Sequence, residues 1–273
     1  MNDMTIYGAR GTLPAPGASF IGYGGNTTCL CMEGNDGWLI IDAGTGLSSL
    51  NKRLRITPRP PKLAFIFTHF HMDHLIGLPS FEPLYRSQSH ITMLADPRRA
   101  HGWRDSLRTF IGTPFWPVGL YEANAAMELQ DLPVERKSWE WCGINVRWHS
   151  VPHPQSCLAF RLESSTQSVV VMTDAEYETN TLDESVVDFC RDADHLCMDA
   201  QFTPDEYPAY RGWGHSTWLT ATTLAERANV RNLVLIHHAP DRPDFEVRRI
   251  QDQARERFRN TTAAPEGMVL RPD

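Results

Sequence analysis

A chain of 273 residues, 41% apolar and 22% charged, is long enough to bury a two-layer core and has an ordinary globular mix, which excludes a disordered or fibrous protein. Its formal charge of −7 argues against an extended nucleic-acid surface, which normally needs a basic face. It leaves room for a small anionic substrate, because bound metal ions bring positive charge that the count omits. The longest apolar runs, such as Leu63–Phe67 and Leu233–Ile236, are strand-sized, so no membrane span or membrane partner is expected. Residues 1–10 lack the basic and apolar regions of a signal peptide. The expectation is a cytoplasmic protein forming a single domain over 1–273.

In chain order, β-rich runs, most of them ending at or just before an Asp or His, predict strands over Trp38–Asp42, Leu63–Thr68, Ile91–Asp96, Ile144–Pro152, Cys157–Glu163, Val169–Asp174, Leu196–Asp199 and Leu233–His237. Helical patterns fall between them. One is Pro97–Ile111. A second is Asp183–Asp192, with Val186, Val187 and Cys190 spaced to share a face. A third is Thr217–Ala228, capped by Ser216 or Thr217. The last, Arg242–Arg259, is charged and starts near Pro243. Strands with helices interspersed indicate an α/β protein with sheets at the centre and helices outside. Phe110–Trp116, with Pro114 and aromatic residues, fits neither a regular helix nor a central strand. It reads equally as a loop over a substrate pocket or as a packed connector. The six cysteines show no zinc-finger or disulfide spacing, and most read as small core residues of a reducing compartment. Cys29 and Cys31, two apart, would share one face of a strand.

The chemistry concentrates after the strand Leu63–Thr68. His69-Phe70-His71-Met72-Asp73-His74 places four potential metal ligands within six residues. Ionisable groups this dense are costly unless something compensates them. Backbone geometry prevents all four from reaching one ion, so two ions sharing the loop is the natural arrangement. Imidazole with carboxylate suits Zn²⁺, and Mn²⁺ or Fe²⁺ are admitted. Further candidates end other strands: His153 between two prolines, Asp174, and the pair His237 and His238. His215 lies in a Gly-rich turn before a helix, and Asp199 ends another strand.

These residues carry a resemblance. Gly8-Ala9-Arg10-Gly11-Thr12, Tyr23-Gly24-Gly25-Asn26-Thr27-Thr28, Trp38-Leu39-Ile40-Ile41-Asp42-Ala43-Gly44 and Thr68–His74 together resemble the metallo-β-lactamase-fold hydrolase superfamily, in its ribonuclease Z-like and cyclic-phosphodiesterase branch. The resemblance implies a four-layer αββα sandwich with the site along one edge. It implies two divalent ions: one on His69, His71 and His153, the other on Asp73, His74 and His237, with Asp174 and a water or hydroxide between them. Asp42 would support a ligand from behind. His237 rather than His238 would be the ligand, leaving His238 to hydrogen-bond nearby or face substrate. His215 would contact phosphate and protonate the leaving oxygen, with Asp199 orienting it. Asp73 and His215 are thus the residues on which catalysis would depend.

The implied reaction is hydrolysis of a small, cyclic phosphodiester, such as a cyclic nucleotide or cyclic ribose phosphate, by a metal-bound hydroxide. Other readings are a ribonuclease Z-like nuclease, a lactonase or β-lactamase-type acyl hydrolase, and a non-catalytic metal-binding protein. Only 40 residues separate Asp174 from His215, too few for the long arm with which ribonuclease Z grips transfer RNA. Relatives in the branch also imply a homodimer.

Overall fold

The computed structural model describes residues 2–34, 36–57, 61–98 and 102–272. The first half of the chain supplies β1 (Met4–Gly8), β2 (Cys29–Glu33), β3 (Gly37–Ile41), α1 (Leu47–Arg55), β4 (Lys62–Ile66), β5 (His90–Ala95), α2 (Trp103–Phe110) and β6 (Ala126–Asp131). The second half supplies β7 (Ser138–Trp141), β8 (Ile144–Val151), β9 (Cys157–Glu163), β10 (Ser168–Met172), α3 (Glu184–Cys190), β11 (His195–Asp199), α4 (Tyr207–Tyr210), α5 (Trp218–Arg227), β12 (Asn232–Ile236), α6 (Asp244–Arg257), β13 (Thr261–Ala263) and β14 (Met268–Leu270). Among the described residues these strands make two seven-stranded sheets, ordered β14-β1-β2-β3-β4-β5-β6 and β13-β12-β11-β10-β9-β8-β7.

Three apolar layers hold the sheets in place. Ile6, Leu30, Leu39, Ile41 and Ile66 of the first sheet face Val146, Phe160, Val171 and Val234 of the second, forming the central layer. The alternate side chains of the first sheet, Cys31, Ile40, Phe65 and Met93, pack outward on Leu47, Leu50 and Leu54 of α1 and Leu107 of α2. Val170, Met172, Leu196 and Leu235 of the second sheet pack outward on Val186 of α3, Leu224 of α5 and Ile250 of α6. Strands covered on both faces read as continuous apolar runs, which is why Leu39–Ile41 and Val169–Val171 show no polar alternation. The architecture is the expected αββα sandwich. No helix among the described residues is long and apolar enough to cross a membrane.

Local chemistry sets the helix ends. The Asp183 side chain accepts from the Ser185 N–H to start α3. The Thr217 hydroxyl accepts from the Thr220 N–H at 3.1 Å to start α5, and a cap of this kind contributes about 1 kcal/mol. The helix predicted over Pro97–Ile111 is shorter. Pro97 and Arg98 form a turn in which Arg98 folds back on Asp96 at 2.9 Å, residues 99–101 lie outside the described residues, and α2 begins at Trp103. Helix α1 was not among the expected helices, although Leu47, Leu50 and Leu54 have the spacing of a helical face. Strands β1, β2, β6, β7, β13 and β14 were also outside the expected runs. Cys29 and Cys31 do share a face of β2, buried under α1, and burial pushes both thiols up.

The stretch Phe110–Trp116 is a connector. Phe115 and Trp116 turn back on the Gly112 carbonyl at 2.8 Å. Trp116 packs on the outer layer and donates its indole N–H to Tyr85 Oη at 2.8 Å. None of its residues lines the cavity described below, so it is not a cover for that cavity.

Parallel pairing brings the chemistry to one edge. Strands β3, β4 and β5 run parallel in one sheet, and β10, β11 and β12 in the other. Asp42 and Thr68–His74 therefore emerge at the same edge of the first sheet. Asp174, Asp199–Gln201 and His237 emerge at the facing edge of the second, as does His153 after β8.

Candidate metal centre

Seven side chains converge at this edge. Ligand atoms of His69, His71 and His153 lie within 4.8 Å of one another, as do those of Asp73, His74 and His237, and those of His69, His74 and Asp174. Asp174 sits between the two trios: one carboxylate oxygen is 3.1 Å from His74 Nε2, while the other is 3.4 Å from His237 Nε2 and 3.8 Å from both His69 Nε2 and His153 Nε2.

The residues behind these imidazoles decide which nitrogen keeps a lone pair. His74 Nδ1 donates to Asp42 Oδ2 at 2.7 Å. The Thr68 hydroxyl gives its single proton to that same Asp42 oxygen at 2.7 Å, and its oxygen therefore accepts from His69 Nδ1 at 3.0 Å. His153 Nδ1 donates to the Gly214 carbonyl at 2.9 Å. His237 Nδ1 donates to Gln201 Oε1 at 2.9 Å. In all four rings Nδ1 is tied down from behind and Nε2 faces the cluster, free to offer its lone pair once a cation replaces any proton there. His71 presents Nδ1 instead, 3.2 Å from His153 Nε2.

Two glycines make room for these rings. A Cβ on Gly11 would lie 2.2 Å from the His237 ring, and one on Gly214 would lie 2.2 Å from the His153 ring. His237 itself holds a left-handed backbone, φ 58°, as does Asp42, φ 59°. Such conformations in bulky residues mark places where the surroundings override local preference.

The centre is charged, and several of its inward-facing atoms are poorly satisfied. Burial disfavours the ionised form of Asp174, yet the His237, His74 and His69 imidazoles outweigh it and hold the carboxyl well below the usual range. Asp73 is held low in the same way by His74 and His237 against its own burial, and its Oδ2 accepts the Thr12 N–H at 2.8 Å. Burial, and then neighbouring imidazoles, push His69 and His71 down. Burial also pushes His153 down. Nε2 of His69, His74 and His237 and Oδ1 of Asp174 are buried without a well-directed hydrogen bond, although His74 Nε2 and Asp174 Oδ1 lie 3.1 Å apart. An unpaired buried polar atom costs on the order of 1–3 kcal/mol, so four converging ones make an unstable core but a good cation cradle. The donor set of imidazole and carboxylate fits divalent metal ions.

Above the cluster lies a cavity of about 590 Å³. His215 enters it from the turn before α5. Its Nδ1 is 2.8 Å from Asp199 Oδ2 and 3.9 Å from Asp174 Oδ2. Burial opposes the imidazolium, but Asp199, Asp174 and Asp73 outweigh it and push His215 up to about 9. Asp199 also accepts the Gln201 N–H at 2.9 Å, which locks its carboxylate. The turn carrying His215 is clasped by Glu176, whose carboxylate accepts from Gly212 N at 2.6 Å, Gly214 N at 2.7 Å and Tyr207 Oη at 2.9 Å.

His238 does not face the cavity. Its Nε2 lies 3.2 Å from the Ala264 carbonyl and its ring meets the edge of Tyr23 at 5.8 Å. Burial and Arg10 push it down to about 3. Of its two expected roles, only hydrogen bonding is met. The sequence reading missed Thr12, Thr68, Gln201 and Glu176. Thr68 and Glu176 adjoin singled-out residues, Thr68 directly before the metal loop and Glu176 two positions after Asp174. Thr12 closes the motif Gly8–Thr12 but had no role assigned, and Gln201 carried no local signal, since only the tertiary fold brings them to Asp73 and His237.

Comparison with known proteins agrees with this geometry. The family model described as β-lactamase superfamily domain matches residues 37–238. A ribonuclease Z of Lacticaseibacillus casei (strain BL23) is 27% identical, aligned over 84% of this chain and 83% of the relative. The crystal structure of the metallo-β-lactamase fold protein YhfI from Bacillus subtilis superposes with a TM-score of 0.76 at 18% identity, covering 99% of both chains. That of a diphosphatase from the PhnP family superposes with a TM-score of 0.74 at 16% identity, covering 100% of this chain and 98% of the other. With the family model spanning both trios, the two-sheet sandwich around them and a metal-adapted donor set, the chain belongs to the β-lactamase superfamily, among its metallo-β-lactamase-fold, metal-dependent hydrolases.

Proposed function

We propose that this protein is a dinuclear phosphodiesterase that hydrolyses a small, cyclic phosphodiester, with Zn²⁺ as the fitting metal. The carrying observation is His215, an imidazole outside both trios that shares their cavity and is tied at 2.8 Å to Asp199, whose charge favours its acid form. An alkoxide is a poor leaving group, so a positioned proton donor beside the metals suits ester cleavage at phosphorus. His69, His71 and His153 would hold one ion, Asp73, His74 and His237 the other, and Asp174 would reach both. Ions held there would lower the pKa of a water toward neutrality and offset charge on the phosphoryl oxygens. The chain's own contribution is threefold. Asp42, Thr68, Gln201 and Gly214 keep the Nε2 lone pairs aimed inward. Thr12 holds Asp73 through its backbone N–H. His215 holds a proton at its Nε2 for the departing oxygen while Asp199 fixes Nδ1.

A ribonuclease Z-like activity is the second reading, favoured by the L. casei relative of that name. Two features weigh against it: the net charge of −7, and a segment from Asp174 to His215 filled by α3, β11 and α4 with no long arm. The deciding experiment loads the protein with Zn²⁺ or Mn²⁺ and offers bis(p-nitrophenyl) phosphate, cyclic nucleotides, cyclic ribose phosphates, a lactone and precursor transfer RNA. Turnover of the small diesters, lost in His71→Ala and Asp73→Ala, is expected. Cleavage of precursor transfer RNA alone would move the assignment to the second reading. Activity surviving both substitutions would overturn the dinuclear site.

A further inference from the structure

The cavity over the metal centre has an aromatic wall. Trp213 lines it together with Tyr210 and Phe202. Phe202 and Tyr210 stack with centroids 4.6 Å apart and planes 6° from parallel, and Trp213 meets Tyr210 edge-on at 5.2 Å and 86°. Met72, from the metal loop, adds a second exposed apolar side chain to the same cavity.

Trp213 is 62% exposed, although a large aromatic side chain gains most by burial. Its backbone is nonetheless held tightly. Glu176 accepts the N–H of the residue on either side of it, at 2.6 and 2.7 Å, and the Trp213 N–H donates to the Tyr210 carbonyl at 3.1 Å. Gly212 and Gly214 take the positive φ values, 89° and 93°, that this turn requires. An exposed indole on a pinned backbone, two residues from His215, is a pre-organised face left largely open to the cavity. Pre-organisation of this kind lowers the entropic cost of binding.

We infer that Trp213, backed by Tyr210 and Phe202, is the specificity-determining platform on which a planar aromatic arm of the substrate, such as a nucleobase, stacks while its phosphodiester lies over the metal centre. This rests on the phosphodiesterase reading for the position of the phosphate, but the stacking face stands on its own geometry. A cavity of about 590 Å³ is within the usual range for a ligand of nucleotide size. Stacking reads a flat ring and not a base edge, so the platform itself selects for a planar base and not for one particular base. Between a cyclic nucleotide and a cyclic ribose phosphate, it favours the former.

The test compares a nucleoside cyclic phosphate with the matched methyl riboside cyclic phosphate, which differs only in lacking the base, in the metal-loaded enzyme. The readout is the ratio of kcat/KM for the two substrates. Base–aromatic stacking predicts that Trp213→Ala lowers this ratio by roughly 5- to 100-fold, chiefly through KM, and that Trp213→Phe recovers much of it. A ratio unchanged within twofold in Trp213→Ala, or equal losses on both substrates, overturns the platform. Calorimetry separates this outcome from failure of the phosphodiesterase reading. If neither diester is turned over, a nucleoside monophosphate should still bind more tightly than ribose phosphate, with the preference lost in Trp213→Ala. Equal or absent binding of the two ligands to the wild-type protein overturns the platform regardless of catalysis.

Discussion

Glu176 reaches His153 through a single residue: its carboxylate accepts the Gly214 N–H at 2.7 Å, and the Gly214 carbonyl accepts from His153 Nδ1 at 2.9 Å. A carboxylate outside the cluster thus sets the orientation of an imidazole inside it. Outer partners of metal ligands commonly change affinity about 10- to 100-fold when removed. Glu176→Ala is expected to weaken metal binding by that order, measured by competition with a chromophoric chelator. Glu176→Gln, which keeps one acceptor oxygen, should fall between. Unchanged affinity in both would mean that the turn holds its shape without the clasp.

The two glycines under the rings give a steric prediction. A methyl group at Gly11 or Gly214 would meet an imidazole at 2.2 Å, well inside contact distance, and Gly214 also has a φ that L side chains rarely adopt. Gly11→Ala should displace His237 and Gly214→Ala should displace His153. Each variant is expected to bind close to one equivalent of metal where the wild type binds two, read by elemental analysis after dialysis. Full metal content in Gly11→Ala would show that the His237 ring moves aside freely.

The acid role proposed for His215 predicts a pH dependence. A proton donor works only while protonated, so activity should fall as pH rises through its pKa. Asp199 is the leading group raising that pKa against burial, toward about 9. Asp199→Asn keeps an acceptor near Nδ1 and removes the charge. The alkaline limb of the kcat profile should then move to lower pH by at least about one unit, with metal content kept. A limb that stays in place would assign it to another group.

His238 predicts the stability of the fold at acid pH. Its folded pKa is pushed from 6.5 down to about 3 by burial and Arg10, so the unfolded chain binds the extra proton between those values. Stability from this group is complete above about 6.5 and is lost as pH falls toward 3. At pH 5 the loss is on the order of 2 kcal/mol. Urea unfolding of the chelator-treated protein at pH 7 and pH 5 should show it. His238→Gln, whose amide can still reach the Ala264 carbonyl, should flatten the difference. An equal pH effect in both proteins would place the titration elsewhere.

Strand ends were the part of the molecule most readable from sequence. Leu63–Thr68, Val169–Asp174 and Leu233–His237 are apolar on both faces and stop at or just before a ligand-type residue, so strand and site announce one another. Edge strands such as β6, with its Ala126-Met127-Glu128-Leu129-Gln130-Asp131 pattern half-exposed, have a weaker signature. Three-residue strands such as β13 and β14 have none, because their pairing is set by distant neighbours. The groups holding the ligands divide in the same way. Asp42 was visible because it ends a strand in a recognisable pattern. Gln201 was not, because a glutamine two residues past a strand has no local feature that marks it as the partner of a histidine 36 positions away.

One oxygen of Asp42 accepts both the His74 ring and the Thr68 hydroxyl that holds His69. His69 belongs to one trio and His74 to the other. The two proposed ion positions would therefore depend on one shared atom. A lineage drifting toward a mononuclear enzyme has an open route through His71, His153 or His237, each of which damages one half alone. It has no such route through Asp42, where a single substitution is felt by both halves at once.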